Sequence, residues 1–190
     1  MPESESLRGQ FLVAGKGLRD GHFYKTVVLM LEHSQTGAMG LVINRPMDVS
    51  VSAALSSHFE LPESGHVLYS GGPVEPEALL ILHNSEDYDQ EHAPIAPGVY
   101  VGTSPDVFDK VVDSADDPGS AFHFRIFSGY SGWGAGQLES EIERGDWHAL
   151  PAVAEYLFQG KPYEIWEDVL GEFLKRHRIF PDQPAEPEWN

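Results

Sequence analysis

Apolar positions fall into short β-rich runs interleaved with a few helix-spaced stripes. Gln10–Ala14 reads as a strand. Thr26–Leu31 is an unbroken apolar run, the pattern of a strand covered on both faces. Met39–Ile43 is similar, and Gln35-Thr36-Gly37 between the two supplies a hairpin turn. That pairing sends Glu32-His33-Ser34 and Asn44-Arg45-Pro46 to the outer ends of the hairpin. His66–Tyr69, Ala78–Leu82, Val99–Gly102 and Phe122–Phe127 read as further strands, with Gly71-Gly72-Pro73 a turn or a site of close backbone approach. Asn84–Pro97 is a polar loop with four acids and no Lys or Arg.

Helical signals are fewer. Ser50 caps a short helix reaching His58, and Ser104-Pro105-Asp106 opens another whose stripe is Val107, Phe108, Val111 and Val112. Gln137–Arg144 reads as a short helix, and Trp147–Phe158 as a compact segment. Tyr163, Trp166, Val169, Leu170, Phe173 and Leu174 give a terminal helix a core-docking face. Adjacent hairpins mixed with helices indicate an α+β domain with a mostly antiparallel or mixed sheet, not regular βαβ alternation. One domain spans residues 9–180, between a disordered N-terminus (1–8) and a flexible acidic tail (181–190).

Composition narrows the function. The 190 residues are 41% hydrophobic and carry thirty acids against twelve bases, a net charge of −18. That balance argues against direct nucleic-acid binding or an anionic membrane surface, both of which need basic surface. The densest basic cluster is only Arg176-His177-Arg178. The absence of cysteine excludes disulfides, thiol catalysis and thiolate metal sites. No signal-peptide pattern occurs, and no apolar run approaches the roughly 20 residues that cross a bilayer, so a cytoplasmic location is expected.

The densest motif is Gly129-Tyr130-Ser131-Gly132-Trp133-Gly134-Ala135-Gly136-Gln137-Leu138-Glu139. Its glycines suit a binding loop more than a strand interior. Backbone N–H groups opening a helix can cradle phosphate. Here Glu139 and Glu141 occupy the first turns, no lysine is present, and the spacing matches no nucleotide fingerprint, so a structural turn is favoured. Trp133 is either a packed plug or a stacking platform. Glu32-His33-Ser34 could supply acid–base chemistry with His83 as a second histidine, against a role in satisfying backbone groups at strand ends. Arg45, beside Asn44, either grips a ligand carboxylate or phosphate or pairs with Asp20, Glu32 or Glu139, and the ion pair is the expectation. No metal-ligand spacing is present among the nine histidines, so no metal or cofactor is expected.

These stretches resemble the AlgH/YqgE family of bacterial proteins from Gln10 to about Leu170. The resemblance rests on Leu18-Arg19-Asp20 with Phe23, Val27-Val28-Leu29 running into Glu32-His33-Ser34, and Gly37–Pro46. Gly71-Gly72-Pro73-Val74, Leu82-His83 and the Gly129–Glu139 run complete it. Gly15-Lys16 and Ala135 depart from the family's usual Met-Pro and proline, which touches loop shape and not fold. The resemblance implies a sheet curled toward a barrel with helices around it, and a transcription-regulator label, but no specific activity. The expectation is a non-catalytic regulatory protein that binds an unknown small molecule or protein through Glu32, His33, Asn44, Arg45, His83, Trp133, Gln137 and Glu139, acting on transcription indirectly if at all. The alternative is a hydrolase or transferase of a small polar substrate, with His33 or His83 as base and Arg45 orienting substrate. It requires His33, His83, Arg45 and Glu139 in one cleft.

Overall fold

The structure, a computed structural model, describes residues 6–56, 65–88, 93–102, 105–114, 117 and 119–177. Strands β1 (Gln10–Ala14), β2 (Val27–Ser34) and β3 (Gly37–Val42) form an antiparallel meander, with Leu12 opposite Val28 and Leu29 opposite Leu41. Burial of successive residues in β1 and β2 requires cover on both faces. The core supplies it together with helix α5 (Ile165–Arg176), which packs against β1, β2 and β9 (Trp147–Pro151). Strand β9 adds to β1 antiparallel, Leu12 opposite Ala149.

The longest strand, β8 (Phe124–Gly134), organises the remainder. Its first half takes β5 (Val67–Ser70) in parallel and β6 (Val74–His83) antiparallel, and its second half pairs with β3. Strands β4 (Pro46–Ser50) and β7 (Tyr100–Gly102) join β5 and β6. Among the described residues, nine strands belong to one open, mixed sheet, ordered β4-β5-β8-β3-β2-β1-β9, with β6 branching from β8 and β7 pairing with β6. The curl toward a barrel is completed by side chains, because Trp133 on β8 meets Trp147 on β9 edge-to-face at 6.0 Å. The α+β expectation therefore holds, with a sheet that stays open.

The main apolar cluster runs through both faces of β1 and β2 and takes in Ile165, Trp166, Val169 and Leu170 of α5. A smaller one beneath α1 (Val51–Leu55) and α2 (Pro105–Ser114) contains Leu68, Val107, Val111, Phe124 and Ile126. Ser50 caps α1 by accepting the Ala53 N–H at 3.1 Å; the expected continuation through Ser57 and His58 lies outside the described residues, as does the expected Ser104 cap. The Trp147–Phe158 segment resolves into β9 and α4 (Ala154–Phe158). On α5 the buried residues are Ile165, Trp166, Val169 and Leu170, while Tyr163 is 81% exposed and Leu174 also faces outward. Trp166 Nε1–H donates to the Ala14 carbonyl at 2.8 Å, and Phe173 lies between the rings of His148 and His177, at 4.4 and 4.1 Å.

The glycine motif departs from expectation. Gly129–Gly134 is strand, not loop. Gly129 has φ +69°, and a Cβ there would stand 2.6 Å from the Gly72 carbonyl oxygen; a Cβ on Gly71 would stand 2.3 Å from the Gly129 oxygen. The two glycine motifs touch backbone to backbone where the β6–β8 register shifts between Val74 and Leu79. Gly129→Ala is expected to cost about 1–3 kcal/mol, read as a lower urea midpoint, and an unchanged midpoint would contradict this packing.

Burial, reinforced by the nearby His177, lowers the pKa of His148 from the ordinary 6.5. The unfolded chain then takes up this proton before the folded one does. The contribution is complete above 6.5 and is lost as pH falls through the depressed folded value. Wild type should lose more stability than His148→Phe across that window in parallel urea titrations; equal losses would show that His148 titrates alike in the folded and unfolded chain.

Candidate functional site

His33 stands near the end of β2, beyond the register shift between Met30 and Glu32, with its side chain only 4% exposed. Both ring nitrogens are engaged. The Leu7 backbone N–H donates to Nδ1 at 3.1 Å, and Nε2 faces Glu139 Oε1 at 3.0 Å. With Nδ1 accepting, the ring hydrogen sits on Nε2 and is donated to the carboxylate. Ser6 Oγ–H also donates to the His33 carbonyl, and Arg8 donates to the carbonyls of Ala93 and Pro94. Ser6, Leu7 and Arg8 are thus each hydrogen-bonded to the body of the domain. Glu32 points outward, and the Ser34 hydroxyl holds its own turn through Thr36 and Gly37.

Glu139 lies on α3 (Gln137–Glu143), which follows β8 through the left-handed Gly136. Gln137 Oε1 accepts the Gly134 N–H at 3.1 Å, and its amide donates to Glu141 Oε1 at 2.9 Å. Glu141 Oε2 accepts the indole N–H of Trp133 at 2.8 Å and that of Trp147 at 2.9 Å. Phe23 stacks on Trp133 at 6.0 Å and meets the Trp147 ring edge-to-face at 5.4 Å. Of the two readings of Trp133, the packed plug is the one observed: it is 6% exposed. The phosphate reading also loses ground, because the Gly134 N–H is already bonded.

The other candidates stand elsewhere. Asn44, 3% exposed, bridges the start of β2, accepting the Val27 N–H at 2.9 Å and donating to the Lys25 carbonyl at 3.0 Å. The expected ion pair of Arg45 with Asp20, Glu32 or Glu139 does not form. Its Nη2 donates to the Tyr24 carbonyl, and no carboxylate pairs with it among the described residues. Asp20 instead accepts the N–H groups of His22 and Phe23. His83 is fully buried between the rings of Tyr100 and Phe122, with Nδ1 accepting the Ser85 N–H. It pairs opposite Phe124, whereas His33 lies beside Ala38, which pairs with Trp133. Phe124 and Trp133 are nine positions apart on β8, a strand length of roughly 30 Å. The anticipated cleft of His33, His83, Arg45 and Glu139 is therefore not formed; only His33 and Glu139 meet.

Two polar residues carry more than their sequence context suggests. In sequence Glu141 is only a charge complementing the helix dipole. Arg125, 8% exposed, donates to the carbonyls of Ile43 at 3.1 Å and Gly160 at 3.2 Å, and lies 4.5 Å from the Tyr69 ring centroid. Burial lowers its pKa, an effect the Tyr69 hydroxyl opposes. An arginine inside Phe124-Arg125-Ile126-Phe127 was the available signal. A groove of about 490 Å³ opens away from all these motifs, between β9, α4 and α5, lined by Leu150, Val153, Glu155, Tyr156, Asp168 and Glu172 among others.

The AlgH-like family model matches residues 11–177. A UPF0301 protein of Chlorobium limicola is 33% identical over 190 residues, covering 99% of this chain and 98% of its own. One from Idiomarina loihiensis is 38% identical over 167 residues, covering 85% and 88%. The solution structure of the AlgH protein from Pseudomonas aeruginosa superposes with a TM-score of 0.70 at 29% identity, covering 97% of this chain and 99% of that one. The crystal structure of a Corynebacterium diphtheriae protein shares the fold at 23% identity, with a TM-score of 0.69 over 98% and 92% of the two chains.

Glu141→Ala strands two indole donors, and hydrogen bonds to a charged group are the strong ones. A loss of about 2–3 kcal/mol is expected, with both tryptophans becoming more accessible to acrylamide quenching. Wild-type stability and quenching would contradict the role given to this carboxylate.

Proposed function

The chain belongs to the AlgH-like family, and we propose that it is a non-catalytic regulatory protein that acts by binding a small molecule or a protein partner. The observation that carries this reading is the separation of the groups that catalysis would use. A general base needs a free lone pair within reach of the substrate proton. Both nitrogens of His33 are engaged, His83 is buried among aromatic rings, and Arg45 leans on a backbone carbonyl. Among the described residues an open groove lies between β9, α4 and α5, and its volume of about 490 Å³ falls within the range of ligand sites. Any effect on transcription is indirect, since a chain of charge −18 repels nucleic-acid phosphates.

A thermal-shift screen against a metabolite library tests this. At a ligand concentration of about one hundred times Kd, binding adds roughly 2.7 kcal/mol, a shift of several degrees. At least one compound should stabilise the wild type, lose that effect in Val153→Trp, and be recovered unchanged after prolonged incubation. Conversion of a compound that stops in His33→Gln or His83→Gln would replace this reading with an enzymatic one. A screen without any stabiliser counts against binding of small molecules.

A further inference from the structure

We propose that the groove between β9, α4 and α5 is a site for an aliphatic polyamine, a methylene chain carrying spaced ammonium groups; the proposal rests on the binding reading above. The floor is apolar: Phe11 and Leu150 are buried beneath it, and Val153 is 43% exposed at its edge. The Tyr156 ring packs edge-to-face on Phe11 at 6.5 Å, which leaves an aromatic wall to the cavity, the kind of face that attracts a cation.

Charge is distributed around that floor from two helices. Glu155 comes from α4, and Asp168 and Glu172 come from α5. Arg176, which also lines the groove, is bound to Glu172 at 2.9 Å, and no basic partner engages Glu155 or Asp168 among the described residues. Among the described residues these carboxylates do not converge as ligands of a metal ion would. Spaced carboxylates over an apolar floor call for spaced positive charges on an apolar stem. Burial, followed by the fields of Asp168, Glu172 and Glu155, raises the pKa of the Tyr156 hydroxyl against the opposing field of Arg176. The phenol stays neutral, with an oxygen able to accept from an ammonium. The net charge of −18 steers a polycation toward the protein from a distance.

Isothermal titration with 1,5-diaminopentane, using 1,5-pentanediol as the uncharged control, tests the assignment. The diamine should bind at one site and the diol should not. The double variant Glu155→Gln/Asp168→Asn should weaken the diamine about tenfold, the sum of two partly screened pairs. Arg176→Gln, which releases Glu172, should tighten it about threefold. Glu77→Gln, exposed on β6, should leave it unchanged, and Val153→Trp should abolish it. No diamine binding, or equal binding by all variants, overturns the assignment; the latter places the amine on the general acidic surface. If the diamine fails while an uncharged library compound is displaced by Val153→Trp, the groove still binds ligand and only the polyamine class is wrong. If no compound responds to Val153→Trp, both proposals fall.

Discussion

One carboxylate, that of Glu141, holds the indoles of Trp133 and Trp147 and the amide of Gln137 at the same time. The two tryptophans belong to the first and last strands of the β8-β3-β2-β1-β9 run. Those strands share no backbone ladder, so the curl of the sheet is fixed through side chains at this point. Hydrogen bonds to a charged acceptor are worth about 1.5–3 kcal/mol each, enough to matter in a domain whose net stability is small. The Phe23 ring against both indoles, and the Leu7–His33–Glu139 chain on the same helix, depend on α3 being seated there.

The other end of the curl is closed differently. Arg125 reaches from β8 to the carbonyl of Ile43 just past β3 and to that of Gly160 between α4 and α5. Asn44 ties the chain after β3 to the start of β2. Polar groups that resemble catalytic equipment in sequence are, at both ends, satisfying backbone donors and acceptors that would otherwise be stranded beside a buried core. This division of labour leaves the motifs to hold the fold, while the groove between β9, α4 and α5 lies apart from them.

Much of the framework was legible because burial on both faces forces unbroken apolar runs, as in Val27–Leu31, and because Ser50 carries its cap chemistry openly. The glycine stretch misled because glycine allows two uses: freedom of φ, which suggests a loop, and absence of Cβ, which here lets Gly71, Gly72 and Gly129 bring two backbones together inside a sheet. The Arg45 ion pair was expected from overall charge, yet a nearby carbonyl won. His83 sits across the sheet from His33 because β8 is long, and strand length does not reveal which ends meet. The groove carried no motif at all. Its walls come from separated segments whose residues are individually ordinary.

Glu141 holds both indoles and thereby fixes the sheet's curl. Hydrogen exchange of the tryptophan Nε1–H groups, followed by NMR in wild type and Glu141→Gln, addresses it most directly. Exchange should be slow for both Trp133 and Trp147 in wild type, and accelerated for both together in the variant. Fast exchange of either indole in wild type, or exchange indifferent to the substitution, would contradict it.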